Sequence, residues 1–332
     1  MQTRARMRMI EQLERAAERS SYLTAASDAD TQALRRMVRD GEVIELEPRI
    51  FGMRSVVEEH DRLGRLRHLA KALAAQHPSW VFCGPTAAAL HGLDVSHAVL
   101  GKVHVASPRA IHRRQRSVVR SCRSFGRSFV LVDGLRITPV LETAAECALD
   151  LAFPYALAIA DSAMRSLGMS ASEFQEQIGT LSRGRRGARR ARMVARYADA
   201  AADNGGESQV RAFLIRYGYL IPRLQVVLWD PTDPNHHPIV DFYWELPDGR
   251  VILGEFDGKD KYRDQEMIRG STTLDVMLRE RQRESRLTLL GYPVLRITWN
   301  DLRHPIRLHT LLRAAGIPHD PKAEARWMRE WG

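Results

Sequence analysis

The stretch PIVDFYWELPDGRVILGEFDGK, Pro238–Lys259, decides how this chain is read. Two runs rich in β-branched and aromatic residues flank Pro-Asp-Gly, a tight-turn signal, so the stretch predicts a β-hairpin. Strand alternation places Val251, Leu253, Glu255 and Asp257 on one face and Ile252, Gly254 and Phe256 on the other. Lys259 joins the first face if the strand continues past Gly258. Asp241 sits mid-strand between Val240 and Phe242, where a carboxylate is costly unless it is paired or bound to a metal. The tight turn sets the two strands side by side, so Asp241, Glu255 and Asp257 can converge. Glu207 opens the preceding helix and can reach the same end of the sheet.

Converging carboxylates suit a hard divalent cation, Mg²⁺ or Mn²⁺. Such an ion binds a phosphodiester oxygen, stabilises the growing charge and lowers the pKa of a bound water. The lysines carry a second signal. Among 50 basic residues only five are Lys (Lys71, Lys102, Lys259, Lys261 and Lys322), and two of them follow this acidic hairpin. Lys is a compact point charge with a tunable pKa, whereas Arg is a planar fork that stays protonated. Lys259 can orient or activate water, and Lys261 can do the same or contact phosphate. A half-buried ion-pair network would also set acids beside Lys, so both readings stay open at this point.

Outward from the hairpin, the block at 205–315 alternates helix and strand. Glu207–Gly218 reads as an amphipathic helix, and LQVVLWD and YPVLRITW read as strands. Thr272–Ser285 and Pro305–Ala315 read as helices, which gives α/β with a mixed sheet. Residues 167–204 form a basic helical connector, with seven arginines from Arg183 to Arg196, Arg185 and Arg186 among them. They serve either a nucleic-acid backbone or solvent. The block at 60–166 predicts an α+β domain: helices at Leu63–Gln76 and Pro85–Leu93, short strands at WVFCG and KVHVAS, and a largely helical tail. From Val95 to Val132 it holds no Asp or Glu, while Arg113, Arg114 and Arg116 lie there, a candidate phosphate-contacting surface.

The first block, 1–56, reads as two or three helices and a hairpin, the outline of a winged helix. A short second helix is expected at Leu23–Ser27. A third, capped by Asp30 or Thr31 and ended by Gly41, offers Arg35, Arg36 and Arg39 to DNA. The formal charge of +10 suits a polyanionic partner. No apolar run approaches a membrane span, and three widely spaced cysteines make neither a disulfide framework nor a zinc site. The expectation is a cytoplasmic protein with no membrane partner.

The residues Asp241 and Glu255-Phe256-Asp257-Gly258-Lys259 resemble the PD-(D/E)xK nuclease core, in its very-short-patch-repair-like branch. That branch places an early helix with Glu, a Gln-bearing strand, V-D-F and E-x-D-G in this order, and the match covers about 205–303. TAAALHGL, TPVLETAAECALD and LRRMVRDGEVIEL are similar to the AbiEi family of bacterial type IV antitoxins. The resemblance implies a multidomain α/β protein: a winged helix, a middle α+β domain and a restriction-endonuclease-like mixed sheet flanked by helices. It further implies DNA as partner and a toxin–antitoxin or defence setting with a cognate toxin. Asp241 and Asp257 become metal ligands, Glu255 a ligand or supporting acid, Lys259 the catalytic lysine, and Glu207 a support of the metal. Lys261 stands where that branch often carries His. The implied activity is Mg²⁺-dependent DNA hydrolysis. An antitoxin-like repressor with an inactive nuclease-like domain is the alternative, and RNA a further substrate to compare. A homodimer suits both a winged-helix protein and double-strand cutting.

Overall fold

The computed structural model describes residues 2–106, 119–122, 128–229, 237–258 and 291–331. The chain is α/β and falls into two compact units, one of residues 1–151 with 177–186 and the other of 152–176 with 187–332. Among the described residues no helix is long and apolar enough to cross a membrane.

The first unit opens with α1 (Gln2–Glu18), β1 (Leu23–Thr24) and α2 (Asp28–Arg39), followed by the hairpin β2 (Val43–Glu47) and β3 (Ile50–Met53). The three strands form one sheet in the order β1-β3-β2. The helix expected at Leu23–Ser27 is therefore a strand and a cap. Thr24 pairs with Ile50 in β3, and the Ser27 hydroxyl accepts the Asp30 amide at the start of α2. Ser27 rather than Asp30 or Thr31 is the cap, because Asp30 already lies inside the first turn and its carboxylate takes the Arg8 guanidinium. Gly41 closes the helix at φ 82°, a left-handed angle that suits glycine. Met9 and Leu13 of α1 pack on Leu34, Met37, Val43 and Phe51.

After α3 (Arg54–Glu59) and α4 (Arg62–Gln76) come α5 (Gly84–Leu90), β4 (Val103–Ala106), β5 (Val119–Cys122), β6 (Val130–Val132), β7 (Leu135–Ile137) and α6 (Val140–Asp150). The expected strand at WVFCG is a single bridged residue. Phe82 bridges both Val105 and Ile137, stitching β4 to β7, and its ring is fully buried. One apolar core joins Tyr22, Ile50 and Val57 to Leu69, Leu73, Phe82 and Ile137. The segments that the sequence reading separates between residues 56 and 60 thus share their interior.

The second unit contains α7 (Phe153–Leu167), α9 (Ala188–Tyr197) and α10 (Gly205–Arg216), while α8 (Ala171–Ser182) spans the division. It also holds β8 (Arg223–Val227), β9 (Ile239–Glu245), β10 (Val251–Asp257) and β11 (Val294–Thr298) in a four-stranded sheet of order β11-β10-β9-β8. β8 and β10 run antiparallel to β9, and β11 runs parallel to β10, so the sheet is mixed as expected. Helix α7, read from sequence as the tail of the middle block, packs with α10. A buried Asp161–Arg211 ion pair at 2.9 Å ties the two together. The segment expected as a connector contains an amphipathic helix, α9, that buries Ala191, Met193, Val194 and Ala195. Helices at Pro305–Ala314 and Pro321–Trp331 follow the sheet. The second of these, which the sequence reading does not include, stacks Trp327 and Trp331 edge-on against Phe153. The helix expected at Thr272–Ser285 lies outside the described residues.

Candidate active site

The β9–β10 hairpin forms where Pro-Asp-Gly predicts it. Gly249 supplies φ 82°, and the Leu246 amide donates to the Arg250 carbonyl at 2.8 Å. Alternation then sorts the side chains. Phe242, Trp244, Ile252 and Phe256 join Val210 and Leu214 of α10 in the core. Gly254 is glycine because a Cβ there would meet the Trp244 ring at 2.6 Å. Asp241, Tyr243, Glu255 and Asp257 take the opposite face.

Register brings the polar residues of that face into line. β9 pairs with β10 through Phe242 and Gly254, so Asp241 and Glu255 occupy the next facing positions. Glu255 lies opposite Arg296 of β11, with the guanidinium 3.9 Å from the carboxylate. On the other side, β8 pairs Leu224 with Phe242 and Val226 with Val240, which puts Gln225 beside Asp241. A row Gln225–Asp241–Glu255–Arg296 therefore crosses all four strands. Asp257, two residues beyond Glu255, lies opposite Thr298.

The Asp241 carboxylate is held at both oxygens. Oδ2 accepts the Phe256 amide at 2.8 Å, taking over where the β9–β10 ladder stops, and Oδ1 accepts Gln225 Nε2 at 3.2 Å. These bonds answer the cost of a carboxylate in mid-strand. The same Gln225 nitrogen donates to Glu207 Oε2 at 3.0 Å. Glu207 sits in the first turn of α10, whose N-cap Asn204 accepts the Gly206 and Glu207 amides. The Glu207 carboxylate also accepts the Asp203 amide and the Asn204 side-chain amide. Glu207 is 1% exposed, and burial, with the Asp241 charge second, pushes its carboxyl up to about 7. Gly206 lets α10 approach the sheet: a Cβ there would stand 2.0 Å from Phe256 Cε1.

The structure thus brings Glu207, Asp241 and Glu255 toward one end of the sheet, with Asp257 on the same face. Lys259 and Lys261 lie outside the described residues, as do Arg113, Arg114 and Arg116. In the first unit, Arg36 and Arg39 are exposed on α2, while Arg35 makes a two-pronged contact with Glu45 of β2 at 2.9 and 3.0 Å. Arg186 is exposed and Arg185 half-buried. Two residues of the row, Gln225 and Arg296, have no assigned role in the sequence reading. Their signal was a lone polar side chain at a fixed alternation step of an apolar strand.

Among the described residues no group of three His, Cys, Asp or Glu side chains is already closed around one point in the manner of a metal centre. The donor set nevertheless fits a hard cation in kind: carboxylates at neighbouring positions of adjacent strands, with Asp241 oriented by two N–H donors.

No family model matches this chain. Two proteins of Mycobacterium tuberculosis, Uncharacterized protein MT2308 (strain CDC 1551 / Oshkosh) and Uncharacterized protein Rv2248 (strain ATCC 25618 / H37Rv), are each 31% identical to it over 246 residues. The match spans 74% of this chain and 83% of theirs. Among solved structures, the RV2827C protein from Mycobacterium tuberculosis aligns with 65% of this chain and 86% of its own at 15% identity, with a TM-score of 0.36.

Proposed function

The chain belongs to the family of the Mycobacterium tuberculosis protein Rv2248, and we propose that it is a DNA-binding, divalent-metal-dependent endonuclease. The carrying observation is the polar row across the second unit's sheet, with Asp241 and Glu255 on adjacent strands and Asp257 next along the same face. Asp241, Glu255 and Asp257 would hold Mg²⁺ or Mn²⁺. Such an ion, when bound, supplies charge stabilisation at a phosphodiester and a water of lowered pKa. Glu207 backs Asp241 through Gln225. Arg296 partly offsets the Glu255 charge. Arg223, whose guanidinium lies 5.5 Å over the Tyr243 ring, adds a cation beside the row for a polyanionic substrate. Lys259 follows Gly258 at the end of β10 and is the proposed water-orienting lysine.

The fold reading behind this proposal is a restriction-endonuclease-like sheet in the second unit and a winged helix at the start of the first. The helix α2 and the β2–β3 hairpin support the latter, with Arg36 and Arg39 on the helix as DNA contacts. That same observation supports a second reading, a DNA-binding repressor of the antitoxin kind, with a cognate toxin as partner and a nuclease-like domain that does not cut.

Supercoiled plasmid separates the two. In Mg²⁺ or Mn²⁺ the wild-type chain nicks it, EDTA stops the reaction, and Asp241→Asn and Lys259→Ala abolish it while DNA is still retained in a gel shift. A wild-type chain that shifts DNA but cuts it with neither metal sinks the nuclease and leaves the repressor. A parallel RNA substrate of the same sequence tests the choice of nucleic acid.

A further inference from the structure

Gln225 is the one residue of β8 with φ in the left-handed region, at 48°. A side chain bearing a Cβ adopts that angle only under constraint, and such constraint gathers at functional sites. The ladder registers the departure. Pairs on either side, Leu224–Phe242 and Val226–Val240, are formed, and the pair between them is skipped. What the strand gives up in regular pairing, the side chain recovers: Nε2 donates to Glu207 Oε2 at 3.0 Å and to Asp241 Oδ1 at 3.2 Å. An amide nitrogen carries two N–H groups, and here each has a carboxylate to point at. A lysine would hold two acids as well, but it would cancel charge that a cation needs. A glutamine restrains both side chains and adds no positive charge of its own.

We propose that Gln225 is a positioning residue, whose amide, aimed by a strained backbone, holds Asp241 in the orientation that receives a divalent cation. Asp241 Oδ1 is fixed from β8 and Oδ2 from the Phe256 amide, so the carboxylate cannot swing about its last bond. Glu207, locked by the α10 cap, is the anchor from which Gln225 draws its own orientation. The inference rests on the metal site of the proposed function and adds the residue that pre-aligns it.

The test is Mn²⁺ binding to the full chain, followed by electron paramagnetic resonance of the free ion, with thermal melting in parallel. Wild type is compared with Gln225→Ala and Gln225→Gly. Both variants lose the amide, and Gly also relieves the left-handed backbone. Expected is Mn²⁺ affinity lowered ~10- to 100-fold, and equally, in both variants, while the Gly variant melts above the Ala variant. A residue that serves only the fold gives the opposite pattern, with Mn²⁺ affinity at the wild-type level in the more stable variant. Wild-type affinity in both variants overturns the role of Gln225 and leaves the metal site standing. A wild-type chain that takes up no Mn²⁺ overturns the metal site and this inference together.

Discussion

Gly206 and His104 show how single positions are decided by their surroundings. A methyl at Gly206 would run into Phe256, and Phe256 is held in place by an edge-on contact with Trp299 at 5.0 Å. Gly206→Ala is expected to cost about 1–3 kcal/mol, the range for forcing extra volume into a packed core, and to show as a lowered denaturation midpoint. His104 is buried in the first unit, its amide bonded to the Thr86 hydroxyl at 2.8 Å. Burial, with the nearby Arg120 charge second, lowers its pKa from 6.5 to about 4. The unfolded chain therefore takes up a proton between these values that the folded chain does not, so stability falls as pH drops from about 6.5 to 4. The loss amounts to about 3 kcal/mol at the acid end. His104→Gln should flatten that limb of the curve of stability against pH. At this scale the sequence is most readable for acids. A carboxylate inside an apolar strand stands out, which is how Asp241, Glu255 and Asp257 are found. Gln225 is marked only through the resemblance, which includes a Gln-bearing strand, and its role depends on a backbone angle and on a helix approaching from elsewhere in the chain.

Some of the contacts that join elements are polar. Arg211 of α10 and Asp161 of α7 pair at 2.9 Å with side chains 5% and 0% exposed, and the Asp199 amide and Tyr197 carbonyl join the network. Arg211→Met leaves a buried carboxylate without its cation and is expected to destabilise by about 3–5 kcal/mol. The double change Asp161→Leu with Arg211→Met should recover most of that loss, as chemical denaturation of the three variants would show. Element identity follows the sequence wherever periodicity is long: α4, α10 and the β9–β10 hairpin fall where alternation and turn residues put them. It fails at short segments. Leu23–Ser27 is too brief to show a period, and its pairing with β3 is decided by residues far along the chain. The helix at Pro321–Trp331 follows the last segment that carries a recognised motif, and the ring its tryptophans meet, Phe153, lies far back in the chain.

For the whole molecule, the excess of +10 is the property that acts at a distance. On the proposed DNA-binding function, duplex affinity should fall linearly with the logarithm of salt concentration, with a slope of about 0.9 per phosphate neutralised. Replacing Arg36 and Arg39 by Ala should reduce that slope by about two and weaken binding to all sequences alike if both contact phosphate, as fluorescence anisotropy over a salt series would measure. Arg35→Ala, in which Glu45 loses its partner, is expected to act less on the slope. The division into units is the least legible feature at this scale. Local composition marks breaks near 56–60 and 167–204, yet the core crosses the first of these and α7 belongs with the residues beyond the second. Domain boundaries are set by which apolar faces meet, and a single chain does not spell out those meetings.

The pairing of α7 with α10 has a consequence during synthesis. A ribosome releases α7 well before α10, so α7, whose Leu157, Ile159, Ala160 and Met164 are buried in the finished unit, then lacks the helix it pairs with. At roughly 5–20 residues per second the wait lasts seconds, long enough for a nascent-chain chaperone to take hold. Chains halted just short of α10 should crosslink to such a chaperone, and chains halted after it should be released.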